Sequence, residues 1–571
     1  MDIHRIWTEE GKPHHGPTNI ERLRIKAVYK KAVKDAQKAP KTEAWSRLHS
    51  AMATNETDKF WKSWRTLYSK NKTHLPPVVD GNSSKDAIAE SFRQSFEANA
   101  RPNNKEKVTE LDEKFSNAYV NLRSTHSDEC ECDKYVFSLE NVFDAVLSLK
   151  KGKSADDDGI TAEHFLCAPY NVFVKLMHLF NAMLRHAFVP NQFTFGSIIP
   201  ILKDHHGNRG DVNNYRGITI SPIASKILEH ALKIVFGKFF DSSPWQFGFK
   251  RKSSTTHALY CLKETVDYYI NNGSRVFCAF LDASKAFDRL VHSGLFLKLI
   301  DTGVPLIFLE LIMHWYGNLQ CRVNWDGTYS RWFDMKAGVR QGGILSPNFY
   351  CLYVDELISI LEKLNIGCYI LEVFMAALLY ADDMALLAPS MKGLQLLLDN
   401  CSKYCFEWDI CLNSKKSKIL YFGKTCGNPF TPKLNGASLE WVDSWNYLGV
   451  QVVRGSRFGC TVTDRIKKFY RCANAIFRIE GRSDDETMMR LVESHCLPIL
   501  TYGMESARLS AQERSKRRCA YNLYRKYLKV SRTCKLVSGV QLGKCKLRHR
   551  RQNFLNAFQN VVRTLLFTYF H

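Results

Sequence analysis

The sequence predicts an α+β fold with helical segments at both ends. Between about residues 195 and 453, short apolar runs alternate with helical patterns. The runs "GSIIPILK", "SRVFCAFLD", "CRVNW" and "SKILYFG" have the composition of strands, whereas "SPIASKILEHALKIVF" and "HSGLFLKLI" have helical spacing. We therefore divide the chain into a helical N-terminal linker region (1–130), a helical and loop lead-in (131–194), the α+β region (195–453), a helical region (454–535) and a basic C-terminal tail (536–571).

The N-terminal region is charged and helical in pattern. "DKFWKSWRTLY" places Phe60, Trp61, Trp64 and Leu67 on one helical face. The Pro-, Gly- and Ser-containing stretch "NKTHLPPVVDGNSSKD" that follows is typical of a linker.

The charge balance predicts a polyanionic partner. The chain has 80 Lys and Arg against 57 Asp and Glu, a formal charge of +23. Such an excess is typical of proteins that bind nucleic acid, the alternative being a merely soluble basic protein. From Ser506 to His571, Glu513 is the only acidic residue, and "SKRRCAYNLYRKYLKVSR" mixes cations with tyrosines. This composition suits a nucleic-acid backbone with stacked bases, although a solvated helix face is the alternative.

The cysteines and apolar runs argue against secreted and membrane-spanning classes. The 18 cysteines form no CxxC pair, and Cys534, Cys545 and His549 fit no standard zinc spacing. The start "MDIHRIWTEE" has charges and no apolar core, so we expect no signal peptide and an intracellular, reducing compartment. No apolar run reaches the length of an uncharged membrane span, so we expect no membrane partner.

Two adjacent aspartates interrupt the apolar stretch "LEVFMAALLYADDMALLAPS". Burying an unpaired carboxylate is costly, and two neighbouring carboxylates also repel each other. We therefore expect a β-hairpin with Ala381, Asp382 and Asp383 at its turn, whose tip presents the carboxylates to a cleft. A cation would neutralise them, and adjacent oxygen ligands favour a hard ion, Mg²⁺ or Mn²⁺.

A second acidic motif lies in "SRVFCAFLDASKAFDRL". The pattern predicts a strand from Val276 to Leu281 that ends at Asp282, followed by a helix with Ser284 as its N-cap. A carboxylate at the end of a buried strand is a candidate metal ligand, although Asp282 alone is equally explained as an N-terminal cap. For Asp288 we favour a simple position in the first helical turn, where a negative charge suits the helix dipole.

The third motif is "AGVRQGGILSPNFY". Gly342 and Gly343 allow close backbone approach, and Ser346-Pro347 predicts the start of a helix. This combination suits a flat surface against which a nucleotide or base pair can lie.

In this order, the segments resemble the reverse transcriptase of non-LTR (LINE-like) retrotransposons. The matching blocks are "GSIIPILKDHHGNRGDVNNYRGITISPIASKILEHAL", "WQFGFKRKSSTTHAL", "FLDASKAFD", "RQGGILSP", "YADD", "LNSKKSKILYFG" and "WNYLGV". They cover roughly Phe195 to Val453, under half of the chain. The resemblance implies a right-hand polymerase, with fingers and a palm built on a small antiparallel sheet in 195–453 and a helical thumb in 454–535.

The resemblance also implies catalytic roles. Asp282 and Asp382 would hold the metal, with Asp383 a close third, while a primer 3′-hydroxyl attacks a nucleotide α-phosphate. Two metal ions would lower the hydroxyl pKa and stabilise the leaving pyrophosphate. Lys416 or Lys418 would protonate the pyrophosphate; the sequence does not choose between them, and a solvated position is the alternative for both.

Substrate-binding residues follow from the same resemblance. Lys203 and Arg216 match the fingers residues that hold the triphosphate. Phe287 matches the steric gate, a ring under the sugar that rejects a 2′-hydroxyl, with core packing as the alternative. Gln341, followed by Gly342, matches the residue near the sugar of the incoming nucleotide.

The implied partners are an RNA template, a DNA primer and dNTPs. Members of this family usually carry an endonuclease that we do not recognise here, so we expect a separate or missing one. The implied site of action is the nucleus, since such proteins act on chromosomal DNA. One alternative is a catalytically silent, decayed or co-opted copy that only binds nucleic acid. Another is a reverse transcriptase of the group II intron or telomerase type.

Overall fold

The computed structural model divides the chain into two compact units, Met1–Pro76 and Pro77–His571. In the first unit a helix covers residues 17–28. The predicted aromatic face of "DKFWKSWRTLY", the tyrosines of the basic C-terminal segment and the zinc candidates lie outside the described residues. The structure describes residues 6, 8, 10, 11, 13, 15–28, 46, 47, 50, 59, 63, 75–125, 134–204, 207–424, 430–478, 491–504 and 509–518.

Helices surround the strands of the second unit. They are α1 (Lys85–Asn99), α2 (Lys105–Thr125), α3 (Leu139–Leu147), α4 (Ala162–Leu166), α5 (Tyr170–Arg185), α6 (Asn191–Thr194), α7 (Ile223–Phe236), α8 (Thr255–Asn271), α9 (His292–Asp301), α10 (Leu306–Gly317), α11 (Ser346–Lys363), α12 (Met391–Glu407), α13 (Thr463–Arg478) and α14 (Leu497–Thr501). A π-helical turn, Val492–Cys496, precedes α14. Among the described residues, no helix is both long and apolar enough to cross a lipid bilayer.

The strands of this unit form several separate sheets. They are β1 (Phe195–Leu202), β2 (Tyr215–Ile220), β3 (Val276–Asp282), β4 (Gln320–Trp325), β5 (Thr328–Tyr329), β6 (Phe333–Asp334), β7 (Tyr369–Ile370), β8 (Val373–Phe374), β9 (Ala377–Tyr380), β10 (Asp383–Ala388), β11 (Lys418–Phe422), β12 (Lys433–Leu434), β13 (Ala437–Ser438), β14 (Glu440–Trp441), β15 (Ser444–Tyr447), β16 (Val450–Val453) and β17 (Gly459–Thr461). The predicted α+β fold is confirmed in this mixture of helices and sheets.

The central sheet has the strand order β14–β11–β3–β10–β9. β3 lies in the middle and runs antiparallel to both β10 and β11. Residues 276–281 of β3 are all buried, and helices α8 and α12 pack against the sheet. A near-continuous apolar run is the expected sequence of a strand that is covered by helices. The predicted strand ending at Asp282 is therefore confirmed.

The lateral sheet has the order β2–β1–β4–β5, with β6 also paired to β4. β1 and β2 are antiparallel, and Ile201 pairs with Arg216 near the loop that connects the two strands. Lys203 follows β1 directly, so the two basic residues lie at the same end of the sheet. β1 also pairs in parallel with β4, which lies on the side of β1 opposite to β2.

Helix α1 is part of the same core as the lateral sheet. Ser84 caps the helix by accepting a hydrogen bond from the Ala87 amide at 3.2 Å. The Phe92 ring is fully buried, and its centroid lies 4.9 Å from the Tyr215 ring and 5.0 Å from the Trp325 ring. Aromatic pairs of this kind contribute stability beyond the area that they bury. Residues that precede the α+β region thus pack directly against it.

The loop after α1 is tied to the region around the central sheet. The Ala100 carbonyl accepts hydrogen bonds from the Lys336 and Ala337 amides, at 3.1 and 3.0 Å. The Asp409 carboxylate accepts hydrogen bonds from the Asn103 and Asn104 amides, at 2.6 and 3.1 Å. Residues 100–104 are therefore held by two distant parts of the sequence.

The segment "WNYLGV" forms a tight hairpin between β15 and β16. Leu448 and Gly449 occupy its turn with φ angles of +47° and +75°. Arg465 of α13 donates a hydrogen bond to the Gly449 carbonyl at 2.7 Å. The helical region that follows is thereby joined to this turn.

The structure corrects the prediction of a helix directly after Asp282. Residues 284–288 form turns, and the next helix, α9, begins at His292. Ser284 does not cap a helix, because no helix begins after it, and its amide donates to the Cys411 carbonyl at 2.8 Å. Lys285 has a φ of +53°, which lies outside the right-handed helical region. By contrast, the helix predicted at Ser346-Pro347 is confirmed as α11.

Candidate active site

Two carboxylates meet where β3 and β10 pair. Asp383 is the first residue of β10 and lies opposite Asp282, the last residue of β3. Asp383 also pairs with Tyr380, so the turn between β9 and β10 contains only Ala381 and Asp382. The predicted hairpin is confirmed, with the correction that Asp383 belongs to the strand and not to the turn. Asp382 and Asp383 are exposed at the tip, whereas the strand residues behind them are buried.

The turn is held by Gln246, which sequence reasoning did not select. The Gln246 Oε1 atom accepts hydrogen bonds from the amides of Ala381 and Gly248, both at 3.0 Å. Gln246 is fully buried, and Ala381 has a φ of +56°. A Cβ on Gly248 would lie 2.5 Å from the Ala381 nitrogen, so only glycine allows this approach. The run "WQFGF", a polar residue among aromatics before a glycine, was the available signal.

The three aspartates interact electrostatically. Although the side chains of Asp382 and Asp383 are exposed by accessible surface, the protein groups around them displace part of their hydration. This desolvation, followed by the neighbouring Asp382 and Asp282 carboxylates, raises the pKa of Asp383 to about 6. Burial also raises the pKa of Asp382, and the Asp282 carboxylate adds to this effect, whereas Arg216 opposes it. Like charges that are brought together favour the neutral form unless a cation compensates them.

The two candidate lysines differ in position. The Lys416 Nζ atom lies 3.8 Å from the Asp282 Oδ2 atom, and its side chain is 69% exposed. The Lys418 Nζ atom lies 2.6 Å from the Glu440 Oε2 atom and donates to the Lys415 carbonyl at 2.7 Å. Lys416 is therefore next to the aspartates, while Lys418 is engaged with β14.

Phe287 lies in the turn after β3 and is half-buried. Its ring stacks on that of Tyr350 from α11, with centroids 4.7 Å apart and an angle of 23° between the planes. The ring of Phe249 meets its edge at 6.0 Å. The Tyr350 hydroxyl is buried without a partner among the described residues, and the Asp382 charge contributes to raising the pKa of this hydroxyl. Phe287 thus has a packed face and lies near the aspartate turn.

Gln341 and Asp288 form a direct side-chain pair. The Gln341 Nε2 atom donates to the Asp288 Oδ1 atom at 2.6 Å. Burial raises the pKa of Asp288, while the hydrogen bond and the charges of Lys285, Lys203 and Arg216 lower it. The prediction that Asp288 occupies a first helical turn is wrong, because this residue lies in the non-helical turn. Its tertiary partner is 53 residues away in sequence, so no local pattern could have indicated it.

The backbone of Gln341 and Gly342 contacts β2. The Thr219 amide donates to the Gln341 carbonyl at 2.8 Å. Gly342 has a φ of +128°, and a Cβ there would lie 2.6 Å from the Thr219 carbonyl oxygen. The expected close backbone approach at this glycine is therefore present, and its partner is the lateral sheet.

Lys203 and Arg216 lie on the side of the site that contains Asp288. The Lys203 Nζ atom donates to the Asn213 carbonyl at 3.0 Å. Burial lowers the pKa of Lys203, and the Asp288 charge partly restores it. Arg216 acts on both Asp382 and Asp288, so the basic end of the lateral sheet is within electrostatic reach of the aspartates.

The oxygen-only donor set of Asp282, Asp382 and Asp383 fits Mg²⁺ or Mn²⁺ in its chemistry, because hard divalent cations prefer carboxylate oxygen. Desolvation, with a smaller contribution from the neighbouring carboxylates, raises the pKa of Asp382 and Asp383, and a bound cation would offset both effects. Within the described ranges, no group of three or more His, Cys, Asp or Glu side chains is arranged to hold a metal ion.

Residues 202–452 match the family described as reverse transcriptase (RNA-dependent DNA polymerase). The match covers less than half of the chain, and the relatives that the chain resembles are RNA-directed DNA polymerases of mobile elements.

Three relatives illustrate this similarity. Over 340 residues the chain is 27% identical to the RNA-directed DNA polymerase from mobile element jockey of Drosophila funebris, covering 57% of this chain and 36% of the relative. Over 470 residues it is 24% identical to the probable RNA-directed DNA polymerase from transposon X-element of Drosophila melanogaster, covering 78% and 48%. Over 396 residues it is 25% identical to the probable RNA-directed DNA polymerase from transposon BS of Drosophila melanogaster, covering 66% and 43%. The chain thus spans less than half the length of these relatives.

Among solved structures, the chain is similar to an apo telomerase from Candida tropicalis. The TM-score is 0.33 with 16% identity, covering 50% of this chain and 59% of the telomerase chain. A similarity at this level adds nothing to the assignment made above.

Proposed function

We propose that this protein is an RNA-directed DNA polymerase of a LINE-like retrotransposon, which extends a DNA primer on an RNA template with dNTPs. The observation that carries the proposal is the pairing of Asp383 with Asp282 beside the Asp382 turn. Two strands deliver these carboxylates to one edge of the central sheet, where Lys416 and Arg216 are the nearby cations. The reverse transcriptase family match supports the same conclusion.

The reaction is phosphoryl transfer from a dNTP to the primer 3′-hydroxyl. Mg²⁺, or alternatively Mn²⁺, held by Asp282, Asp382 and Asp383 would supply charge stabilisation at the attacking and leaving oxygens. Gln246 keeps the turn in place, so the two exposed carboxylates keep their relative position during the reaction. Lys416, next to Asp282, is the better candidate for protonating the pyrophosphate, since Lys418 is paired with Glu440.

The other side chains bind the nucleotide. Lys203 and Arg216 hold the triphosphate from the end of the lateral sheet, where their charges also reach the aspartates. Phe287, stacked on Tyr350, is the steric gate under the sugar. Gln341 lies near the same sugar, in a backbone fixed against Thr219.

In this proposal the central sheet is the palm and the lateral sheet belongs to the fingers. The helices after Val453 form the thumb, which grips the template–primer duplex. In this proposal the protein acts in the nucleus. The basic composition of the chain, +23 overall, supports nucleic acid as the partner.

Primer extension on an RNA template with dNTPs and Mg²⁺ tests the proposal. We expect synthesis by the parent protein and none by Asp382→Asn, with binding of the template–primer duplex unchanged in both. Asp399→Asn, a change on α12 at an aspartate that interacts with Gln395, is the matched control and should retain synthesis. Duplex binding without synthesis by the parent would contradict the proposal and favour the alternative, a catalytically silent nucleic-acid-binding remnant.

A further inference from the structure

We propose that Tyr447 is a positioning residue for Asp383: its buried hydroxyl donates a hydrogen bond to the Asp383 carboxylate when this carboxylate binds a divalent cation. Tyr447 is the last residue of β15 and lies outside the set of residues proposed above to bind metal or nucleotide. The inference rests on the proposed function, because it concerns a side chain that lies behind the proposed metal ligands.

The register of the central sheet places Tyr447 on the face that carries the aspartates. Side chains alternate along a strand, and directly paired residues of neighbouring strands share a face. Cys278, Phe280 and Asp282 therefore lie on one face of β3, and Asp383, which pairs with Asp282, belongs to the same face. The Tyr447 ring packs against Phe280, with ring centroids 5.0 Å apart. Tyr447 thus covers the face of the sheet whose edge carries the two carboxylates.

The Tyr447 hydroxyl is a buried donor. The residue is 3% exposed, and among the described residues its hydroxyl has no hydrogen-bond partner. Buried polar groups are normally paired, because an unpaired one destabilises the folded state. Burial raises the pKa of this hydroxyl, followed by the Asp383 charge, whereas Cys261 and Cys278 contribute less. Asp383 is therefore the carboxylate that acts on the hydroxyl, and the contribution of Cys278 agrees with the sheet face derived from the register.

The Asp383 side chain has room to turn toward this donor. Its backbone is fixed by the pairs with Asp282 and Tyr380, but its side chain is exposed at the edge of the sheet. Exposed side chains change rotamer within nanoseconds, whereas the Tyr447 ring is held by packing. A hydrogen bond to a charged carboxylate is about twice as strong as one between neutral groups. A donor of this kind orients a carboxylate that binds metal and raises the affinity of the site.

The turn that follows Tyr447 is held from two sides. The Leu448 carbonyl accepts a hydrogen bond from the Tyr502 hydroxyl at 3.1 Å, and the Gly449 carbonyl accepts one from Arg465 at 2.7 Å. The Tyr502 hydroxyl also lies 2.8 Å from the Thr255 Oγ1 atom, at the first residue of α8. The backbone that carries Tyr447 is therefore fixed relative to the central sheet, which is what a positioning residue requires.

The test measures the affinity of the full chain for Mn²⁺ without nucleic acid or nucleotide. The electron paramagnetic resonance signal of the free ion gives the bound fraction, and Asp382→Asn gives the binding that does not involve the aspartates. We expect Tyr447→Phe to weaken the Asp382-dependent Mn²⁺ affinity about tenfold, as for the loss of a group that orients a metal ligand. An unchanged Mn²⁺ affinity in Tyr447→Phe overturns the inference.

Thermal melting distinguishes this role from a structural one. In EDTA the hydroxyl has no acceptor in the described structure, so Tyr447→Phe should melt at the parent temperature or above it. Added Mn²⁺ should raise the melting temperature of the parent more than that of the variant, because the parent binds the ion more tightly. A variant that melts well below the parent in EDTA would show that the hydroxyl stabilises the protein without a cation, and this result also overturns the inference.

Tyr404→Phe is the matched control. Tyr404 is also buried, but its hydroxyl donates to the Tyr353 carbonyl at 2.8 Å, between α12 and α11. The same chemical change should therefore lower the melting temperature and leave the Mn²⁺ affinity at the parent value. An equal loss of Mn²⁺ affinity in Tyr404→Phe and Tyr447→Phe would show that the effect follows from general destabilisation, which overturns the inference.

Failure of the inference is distinguishable from failure of the proposed function. Neither the Mn²⁺ affinity nor the melting temperature requires primer extension. A parent protein that extends no primer refutes the proposed function, whereas the comparison of Mn²⁺ affinities still tests the role of Tyr447. A parent protein that extends a primer but has the same Mn²⁺ affinity as Tyr447→Phe retains the proposed function and loses the inference.

Discussion

The Gln246 carboxamide oxygen accepts a hydrogen bond from the Ala381 amide at 3.0 Å, which fixes the turn that carries Asp382. Gln246 is fully buried and comes from a segment 135 residues earlier in the chain. The same segment runs beside β9, where the Phe247 amide donates to the Leu379 carbonyl at 2.8 Å. The position of the turn therefore depends on a contact from a distant segment of the chain.

Gln246→Leu should slow synthesis through this turn. The change leaves the buried Ala381 amide without an acceptor, which costs about 1–3 kcal/mol of unfolding free energy. We expect kcat to fall while the Kd for the template–primer duplex stays at the parent value. Steady-state primer extension and duplex binding provide the two numbers.

Gln395→Leu is the control for this prediction. The Gln395 carboxamide also links to a backbone, by accepting from the Lys433 amide at 2.8 Å, but it joins α12 to β12. Its removal should affect stability without changing kcat. A parent-like kcat in Gln246→Leu would show that the turn holds its position without this bond.

Substitution of the two candidate lysines should have different effects on the rate of nucleotide incorporation. Lys416→Ala removes the cation 3.8 Å from Asp282, so we expect a lower rate of nucleotide incorporation. Lys418→Ala removes a partly exposed ion pair with Glu440, and such pairs contribute about 0–1 kcal/mol to stability. Single-turnover incorporation measures both variants. A larger rate loss in Lys418→Ala than in Lys416→Ala would reverse the assignment.

Phe287→Ala should admit ribonucleotides. The ring lies against Tyr350, and its removal opens space where a 2′-hydroxyl would otherwise collide. We expect the ratio of kcat/KM for dNTP over rNTP to fall at least about tenfold, a difference of about 1.4 kcal/mol. Phe115→Ala, which removes a ring tilted against Phe296 with centroids 5.4 Å apart on the α2–α9 contact, is the control. Unchanged sugar selection in Phe287→Ala would leave Phe287 as a packing residue.

Stability should fall as the pH is lowered below about 6.5, the ordinary pKa of histidine. Burial lowers the pKa of His292 to about 4, with a small contribution from Lys336. Burial also lowers the pKa of His230 to about 4, assisted by Lys233 and Lys150. The pKa of each histidine is about 4 in the folded protein and about 6.5 in the unfolded chain. The unfolded chain therefore binds more protons than the folded protein between about pH 4 and about pH 6.5. The stabilisation is therefore present above about pH 6.5 and is lost as the pH falls toward 4.

The histidine contribution can be isolated with His292→Gln. The His292 Nε2 atom lies 2.8 Å from the Gly338 carbonyl oxygen, a bond that a glutamine amide can replace. Urea unfolding of parent and variant between about pH 7 and about pH 5 should show a shallower loss of stability in the variant, by up to about 1.4 kcal/mol per pH unit. Equal slopes in the two proteins would mean that His292 does not titrate on unfolding.

The sequence predicted the strands and helix starts that depend on local residue patterns. The apolar runs of β3 and β10 became strands because they are covered by helices, and the two aspartates lie at their ends. The Ser346-Pro347 pair opened α11, since proline suits a first helical turn. The roles of these residues, the fingers, palm and thumb assignment and the five-part division of the chain remain predictions.

Tertiary contacts determined the remaining features. No local signal could show that the Ser284 amide would donate to the Cys411 carbonyl and that residues 284–288 would form turns instead of a helix. The partner of Asp288 was not predicted and Gln246 was overlooked for the same reason, because the partners lie 53 and 135 residues away in sequence. A polar residue inside an aromatic run such as "WQFGF" indicates a buried side chain that accepts a hydrogen bond from a distant backbone amide.

Residues 85–104 precede the family match, which begins at residue 202, yet they pack against the matched domain. The part of the chain that folds together is therefore longer than the part that matches the family. A fragment cut at residue 202, where the family match begins, would leave the rings of Tyr215 and Trp325 without Phe92 and the Asp409 carboxylate without the Asn103 and Asn104 amides. An exchange of this domain between two mobile elements would therefore have to transfer α1 and its following loop as well. Recombination points inside residues 85–202 would be expected to separate partners that fold together.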